Sequence, residues 1–195
     1  SREFKDIFVR SSSFNMVMVA WNQSGAPESA SKVQSLFDRL SELSVRDEAQ
    51  KSRGPDSGSY SALIASLARS DPQKAEDTYL EWKHQSMLGN LEFKLRWRTF
   101  QLIVADIYES QLPDRAERAE RWIQFALEDN CFVDARTFNR VISAWCQRRT
   151  IEGVQAAERV LRLLQDHNES LARRSTRPTV LSYLPIVQCW AKLGN

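Results

Sequence analysis

The sequence predicts an all-α fold: an α-solenoid of stacked helix-turn-helix repeats wound as a right-handed superhelix. Three observations predict it. The phrase SSFNMVMVAW at 12–21 returns as RTFNRVISAW at 136–145 and as LSYLPIVQCW at 181–190. A Ser/Thr–aromatic pair recurs at Ser13-Phe14, Ser59-Tyr60, Thr99-Phe100, Thr137-Phe138 and Ser182-Tyr183, with 46, 40, 38 and 45 residues between successive aromatics. Only six Gly and six Pro occur, too few for a turn-rich β fold.

The first helix of each repeat, helix A, starts at these pairs. Seven residues after each aromatic stands Trp21, Leu67, Ile107, Trp145 or Trp190. Seven residues are close to two helical turns, so each aromatic shares a face with its large partner. The Ser or Thr before the aromatic is expected to be the N-cap.

A second helix, B, follows at a fixed distance. Pro27, Pro72 and Pro113 lie 13, 12 and 13 residues after their aromatics, and Ile151 lies 13 after Phe138. Proline suits a first helical turn, where its missing N–H costs nothing. From those starts, offsets 3, 6, 9, 10 and 13 give the apolar stripes Ala30, Val33, Leu36, Phe37, Leu40, then Ala116, Ala119, Trp122, Ile123, Ala126, then Val154, Ala157, Val160, Leu161, Leu164. The second unit, with Ala75, Thr78, Glu81, Trp82 and Gln85, is degenerate. Small residues at the start of each stripe let B approach A closely.

The chain therefore divides into repeats at 11–56, 57–96, 97–134, 135–179 and a partial 180–195, a single array over 1–195. A two-helix hairpin cannot bury both its stripes alone, so neighbours must stack. Ending at AKLGN, the last A helix is expected to leave Tyr183, Ile186, Val187 and Trp190 wet, and the chain to be a fragment of a longer array. The inserts 44–56 and 168–178 are charged, Ser-bearing and closed by Pro, and read as loops.

Composition narrows the function. Apolar residues are 42% and charged residues 27%, which fits a folded, water-soluble chain. No apolar run approaches the ~20 residues of a membrane span. Net charge is +2, but residues 1–95 carry 12 basic and 13 acidic groups against 15 and 12 in 96–195, where 14 of the 15 are Arg. That is a mild lean toward anionic partners. Cys131, Cys146 and Cys189 form no CxxC pair, and with His84 and His167 isolated no metal or nucleophile arrangement emerges. The thiols read as buried and reduced. No cofactor and no enzymatic activity are expected.

The segment TFNRVISAWCQRRTIEGVQAAERVLRLLQ resembles the pentatricopeptide repeat family: an aromatic followed by Asn, an apolar pair, a small residue, and an Ala-bearing second helix ending in Leu-rich turns. Asp56 and Asp134, in GPDSGSY and CFVDARTF, stand four residues before the aromatic, and Thr179 of RPTVLSY does the same. The resemblance covers roughly 11–193. The units are longer than the family's 35-residue period, and with Trp closing helix A they look like algal organellar members. Tetratricopeptide repeats, the nearest competitor, put their Trp/Leu-Gly-Tyr pattern early in the first helix, where it is missing here.

The resemblance implies binding of single-stranded RNA through the A-helix surface, one nucleotide per repeat, in RNA processing, stability or translation, within a mitochondrion or plastid. The residue after each aromatic and the residue four before the next would read a base edge together. The implied pairs are Asn15 with Asp56, Ser61 with Arg96, Gln101 with Asp134, and Asn139 with Thr179. Leu184 could read nothing. Only the first pair fits the family's familiar combinations well, and at about 1–3 kcal/mol per good contact the set discriminates weakly. Backbone contacts must then carry affinity, with Arg96, Arg98, Arg136 and Arg140 as candidates near A-helix N-termini and Arg148 and Arg149 at the opposite end.

These residues also have structural uses. Asn15 and Asn139 can bond between adjacent A helices, and Asp56 and Asp134 can favour a helix dipole. Arg148-Arg149 and Arg173-Arg174 read as solvated surface, DRAERAERW as a salt-bridged exposed face, and Trp82, Trp97 and Trp122 as core. The alternative to RNA binding is a non-catalytic scaffold, a repeat protein lodged among the proteins of a large organellar ribonucleoprotein assembly such as a mitochondrial ribosome.

Overall fold

A computed structural model of the chain describes residues 11–46, 54–88 and 95–194. Among them lie nine α-helices and no strand. The A helices are α1 (Ser11–Ser24), α3 (Ser57–Ser70), α5 (Trp97–Glu109), α7 (Ala135–Cys146) and α9 (Val180–Leu193). The B helices are α2 (Ser29–Arg46), α4 (Pro72–Met87), α6 (Arg115–Glu128) and α8 (Ile151–Leu171). All five aromatic registers thus open an A helix. The B helices begin at Pro72 and Ile151 as expected, but Pro27 and Pro113 sit just before theirs.

Two compact units result, residues 1–95 and 96–195. In the first, α1 packs on α2 and α3, α2 also on α3, and α3 on α4. In the second, α5 packs on α6 and α7, α6 also on α7, and α7 and α8 each pack on one another and on α9. Within the units α1, α5 and α7 each contact their own B helix and the next A helix.

The cores follow the stripes. Ala116, Ala119, Trp122, Ile123 and Ala126 are all buried, as are Val154, Ala157, Val160 and Leu164. In the first unit Val33 and Leu40 are buried, while the degenerate α4 buries Ala75 and Trp82 as expected but turns Glu76 and Tyr79 inward in place of Thr78, Glu81 and Gln85. Its indole compensates for the weak pattern: Trp82 stacks on Tyr60 with centroids 4.6 Å apart, and Phe37 meets the edge of Tyr60 at 5.0 Å.

Where the A helix begins differs from expectation. The Ser or Thr before the aromatic is not the N-cap. The caps are Asp56, Arg96, Asp134 and Thr179, three residues earlier, and Ser59, Thr99, Thr137 and Ser182 occupy the third helical position, buried. Both positions favour hydroxyls, because a third-position hydroxyl can accept the cap's own N–H. Ser59 Oγ accepts the Asp56 N–H at 3.2 Å, and Ser182 Oγ accepts that of Thr179 at 3.0 Å.

Other expectations need correcting. Helix α2 runs on to Arg46 and α8 to Leu171, so the loop readings of 44–56 and 168–178 hold only for their later parts, and 47–53 lie outside the described residues. Trp97 is 37% exposed instead of core, although Trp82 and Trp122 are buried. Of the cysteines only Cys189 is buried, Cys131 and Cys146 being half-buried. On α9, Tyr183, Val187 and Trp190 are exposed as expected, whereas Ile186 is buried.

The run DRAERAERW is only partly an exposed charged face. Arg118 pairs with Asp114 at 2.8 Å along α6, but Glu117 reaches Arg148 at the end of α7, and Glu120 is buried. Glu120 Oε2 accepts the Trp145 indole N–H at 2.8 Å, while Arg159 donates to both carboxylate oxygens at 3.0 Å. The same tether recurs one repeat later, where the Trp190 indole donates to Glu158 at 2.8 Å. Glu120 and Glu158 hold the same register, seven residues after Pro113 and Ile151. The closing Trp of α7 and that of α9 are thus each hydrogen-bonded to the preceding B helix. Arg148, too, is structural. It donates to the Pro113 carbonyl at 2.9 Å and lies over the Trp145 ring.

Replacing Glu120 with Ala leaves the Trp145 N–H and the Arg159 guanidinium without their acceptor. A loss of about 2–3 kcal/mol in unfolding free energy is expected, measured by urea denaturation.

Candidate functional site

Any site on this fold must be built from helix surfaces, and the candidate residues cluster at the starts of the A helices. In the first unit the structure brings Asn15 and Asp56 together. Asn15 Nδ2 donates to Asp56 Oδ1 at 2.8 Å, and Asn15 Oδ1 accepts from the Ser59 hydroxyl at 2.6 Å. Asp56 Oδ1 also accepts the Gly58 and Ser59 N–H groups at 2.9 and 3.0 Å as the cap of α3. Burial alone would raise the Asp56 pKa. The Ser59 N–H, the Asn15 amide, the Ser59 hydroxyl and the Gly58 N–H outweigh it and hold the carboxyl below its ordinary value. This amide-carboxylate pair is therefore engaged in joining α1 to α3. Ser61 is engaged too, its hydroxyl donating to the Ser57 carbonyl at 2.6 Å. Its implied partner Arg96 belongs to the second unit, where it caps α5 without a side-chain bond.

The second unit is arranged differently. Asp134 caps α7, its Oδ1 accepting the Thr137 N–H at 2.9 Å and the Thr137 hydroxyl at 2.6 Å. No hydrogen bond joins it to the half-buried Gln101 among the described residues. Asn139 has the register of Asn15 but not its partners. Its Oδ1 is buried without a hydrogen bond. An unmatched buried acceptor costs about 1–3 kcal/mol, so it calls for an explanation.

Asn139 lines a groove of 330 Å³ together with Tyr108, Ala135, Arg136, Arg140, Ser143, Thr179 and Leu181. Four residues implied by the sequence, Arg136, Asn139, Arg140 and Thr179, thus meet in one place. The Tyr108 hydroxyl lies 3.3 Å from Ser143 Oγ and accepts from Gln147 Nε2 at 3.2 Å. Pro185, inside α9, lacks the N–H that would bond the Leu181 carbonyl.

Cations crowd these helix starts. Arg96 is the cap of α5 and Arg98 its second residue, while Arg136 is the second residue of α7 and Arg140 follows one turn later. Neither helix has an acidic residue in its first turn, and none of the four Arg has an ion pair among the described residues. A cation at the positive end of a helix is unfavourable by about 0.3–1 kcal/mol, so Arg96 and Arg98 do not serve α5, whereas at α7 the Asp134 carboxylate already sits on the first turn beside Arg136.

Sequence reasoning missed two features. Trp97 presents an exposed ring, with the Arg98 guanidinium 5.3 Å from its centroid and Phe132 edge-on at 5.5 Å. Arg173, read as solvated surface, lies 5.5 Å over the Phe132 ring. The signal available was the run RWRTF at 96–100, which sets Trp97 and Phe100 among arginines, but spacing alone does not tell which aromatic faces outward. Of the histidines, His84 is exposed, and His167 accepts the Val133 N–H at 3.3 Å, with burial lowering its pKa. Among the described residues no group of three or more His, Cys, Asp or Glu is placed to hold a metal ion, and no helix is long and apolar enough to cross a membrane.

Compared with known proteins, the chain matches no family model. No curated protein matches it either.

The two asparagines are expected to respond oppositely. Asn15→Ala removes a satisfied bridge and lowers stability by about 1–2 kcal/mol, whereas Asn139→Leu removes an unmatched acceptor and leaves stability unchanged or higher in the same urea titration. The Asp56 cap predicts an acid effect. Its folded pKa is depressed, so its stabilisation is complete above the unfolded value of about 3.9 and is lost as pH falls through the folded value. The Tm difference between the wild type and Asp56→Asn should therefore shrink on acidification from about pH 5 to below 3.

Proposed function

We propose that the chain is a pentatricopeptide-repeat-like protein that binds single-stranded RNA along its A-helix surface. Its residues would serve in an organellar role, mitochondrial or plastid, in RNA processing, stability or translation. The observation that carries this reading is the set of Arg96 and Arg98 at the start of α5 and Arg136 and Arg140 in the first two turns of α7, none of them in an ion pair among the described residues, with Arg96 and Arg98 electrostatically unfavourable to their own helix. A phosphate backbone laid across them removes that penalty and releases counterions. The stacked helix pairs within each unit are the arrangement that a solenoid array would extend.

Base reading is confined to one position on this account. Asn139 lines the groove, and a turn of its side chain out of the buried position that leaves its oxygen unmatched would offer that oxygen to a base-edge N–H, with Tyr108 on the same wall to stack or bond. Asn15 and Asp56 are occupied with one another, so the pair closest to the family's familiar combination contributes structure instead. Affinity should then come mainly from phosphates, with weak sequence preference. The Trp97–Arg98 surface adds a ring of the kind on which unpaired bases stack.

A second reading is favoured by one observation. The exposed faces of α1 and α9 hold Met16, Val17 and Val19, and Val180, Leu181 and Val187. Apolar faces of this kind fit protein contacts. On that reading the chain is a scaffold subunit of a large organellar assembly, and RNA contact is incidental.

Filter binding of mixed-sequence single-stranded RNA against salt separates the two. Four phosphate contacts at about 0.7 each predict a slope of log K on log salt near −3, and changing Arg136 and Arg140 together to Gln should flatten it by about 1.4. Asn139→Leu should weaken retention without loss of stability. No retention at moderate salt, with the protein recovered in ribosome-sized particles, supports the scaffold instead.

A further inference from the structure

The second unit holds a pair of cysteines for which the RNA reading has no use. Cys146 is the last residue of α7, and Cys189 lies in the later half of α9, which packs against α7. The Cys189 thiol donates to the Cys146 carbonyl at 3.5 Å, and the two side chains are themselves hydrogen-bonded. Both line an open depression of 230 Å³ beside Gln147, Arg149 and Lys192, through which a small reagent can approach. Cys131, in contrast, lines a separate groove with Phe132 and His167.

We propose that Cys146 and Cys189 are a redox modification site, closing to a reversible disulfide that staples α7 to α9 when a low-molecular-weight disulfide oxidises them. The half-buried Cys146 is the sulfur a reagent reaches first. Its thiolate attacks one sulfur of R–S–S–R, the reagent's S–S bond breaks, and RS⁻ leaves and takes up a proton. The Cys189 thiolate then attacks Cys146 Sγ of the mixed disulfide and expels the second RS⁻, which is protonated in turn. The two thiols lose two electrons and two protons, and the reagent becomes two RSH.

Burial, with the neighbouring sulfur, pushes the Cys146 thiol up to about 12. The first attack is consequently slow at neutral pH, which suits a site that answers sustained oxidation and not transient fluctuation. The second attack is between contacting neighbours, so the mixed disulfide should not accumulate. Because the bond joins residues 43 apart in sequence, it also constrains the unfolded chain and raises Tm. The site stands independently of RNA binding.

The test uses the folded 195-residue chain. It is incubated with excess oxidised glutathione at mildly alkaline pH, quenched by alkylation, and digested for mass spectrometry without reduction. The expected result is a monomer lighter by two hydrogens, a linked peptide pair containing Cys146 and Cys189, and Cys131 still open to alkylation. Its Tm should rise by several degrees and return on treatment with dithiothreitol. The proposal is overturned if all three thiols stay reduced, if stable glutathione adducts accumulate, if the bond involves Cys131, or if it joins two chains.

Discussion

A pair of amphipathic helices has more apolar surface than its own interface can cover, and this constraint governs the rest of the molecule. Helices α1, α5 and α7 each hide one flank on their B helix and another on the next A helix. The indole of a closing Trp sits at that junction, apolar in body and polar at one atom, and it is met by Glu120 or Glu158 of the preceding B helix. Where Leu67 or Ile107 replaces the Trp, the corresponding B-helix residue is Gln34 or Tyr79, and neither is an acid. The acid therefore appears only with the indole that requires it. That covariation within one chain marks the register in which neighbouring hairpins meet.

The same junction fixes the starts of the A helices, and there structural and ligand-binding needs compete for the same few polar groups. In the first unit structure prevails: Asn15, Asp56 and Ser59 form a closed set of bonds. In the second, Asp134 and Thr137 satisfy each other, the Thr179 N–H is held by the Ser182 hydroxyl, and Asn139 Oδ1 is left without a partner. One repeat position thus yields a bridge in one place and an unmatched buried acceptor in another. The difference follows from which neighbours reach it and not from the residue type.

Much of the fold was legible because helical periodicity survives in single residues. The five aromatics and their partners seven places on locate the five A helices, and the apolar stripes identify α6 in full and α8 but for the half-buried Leu161. What was not legible depends on the third dimension. A hydroxyl near a helix start suits the cap or the third position equally, so Ser59 and Thr137 were misassigned by three residues. Glu120 looked solvated because it lies among charges along α6, yet its partners are on α7 and α8. Trp97 looked like core because large aromatics at helical spacing usually are. Of the candidate site, the Arg positions and Asn139 could be named from the repeat, but its groove could not, since Tyr108 and Leu181 enter it from α5 and from α9.

The central claim is that the starts of α5, α7 and α9 form a surface for single-stranded RNA. Ultraviolet crosslinking of the chain to a uridine-rich oligonucleotide, with the adducts mapped by peptide mass spectrometry, tests it most directly. The account predicts adducts concentrated on peptides carrying Trp97, Tyr108 and residues 135–143. Adducts confined to the B helices, or none at a protein concentration that saturates a control RNA-binding domain, would contradict it.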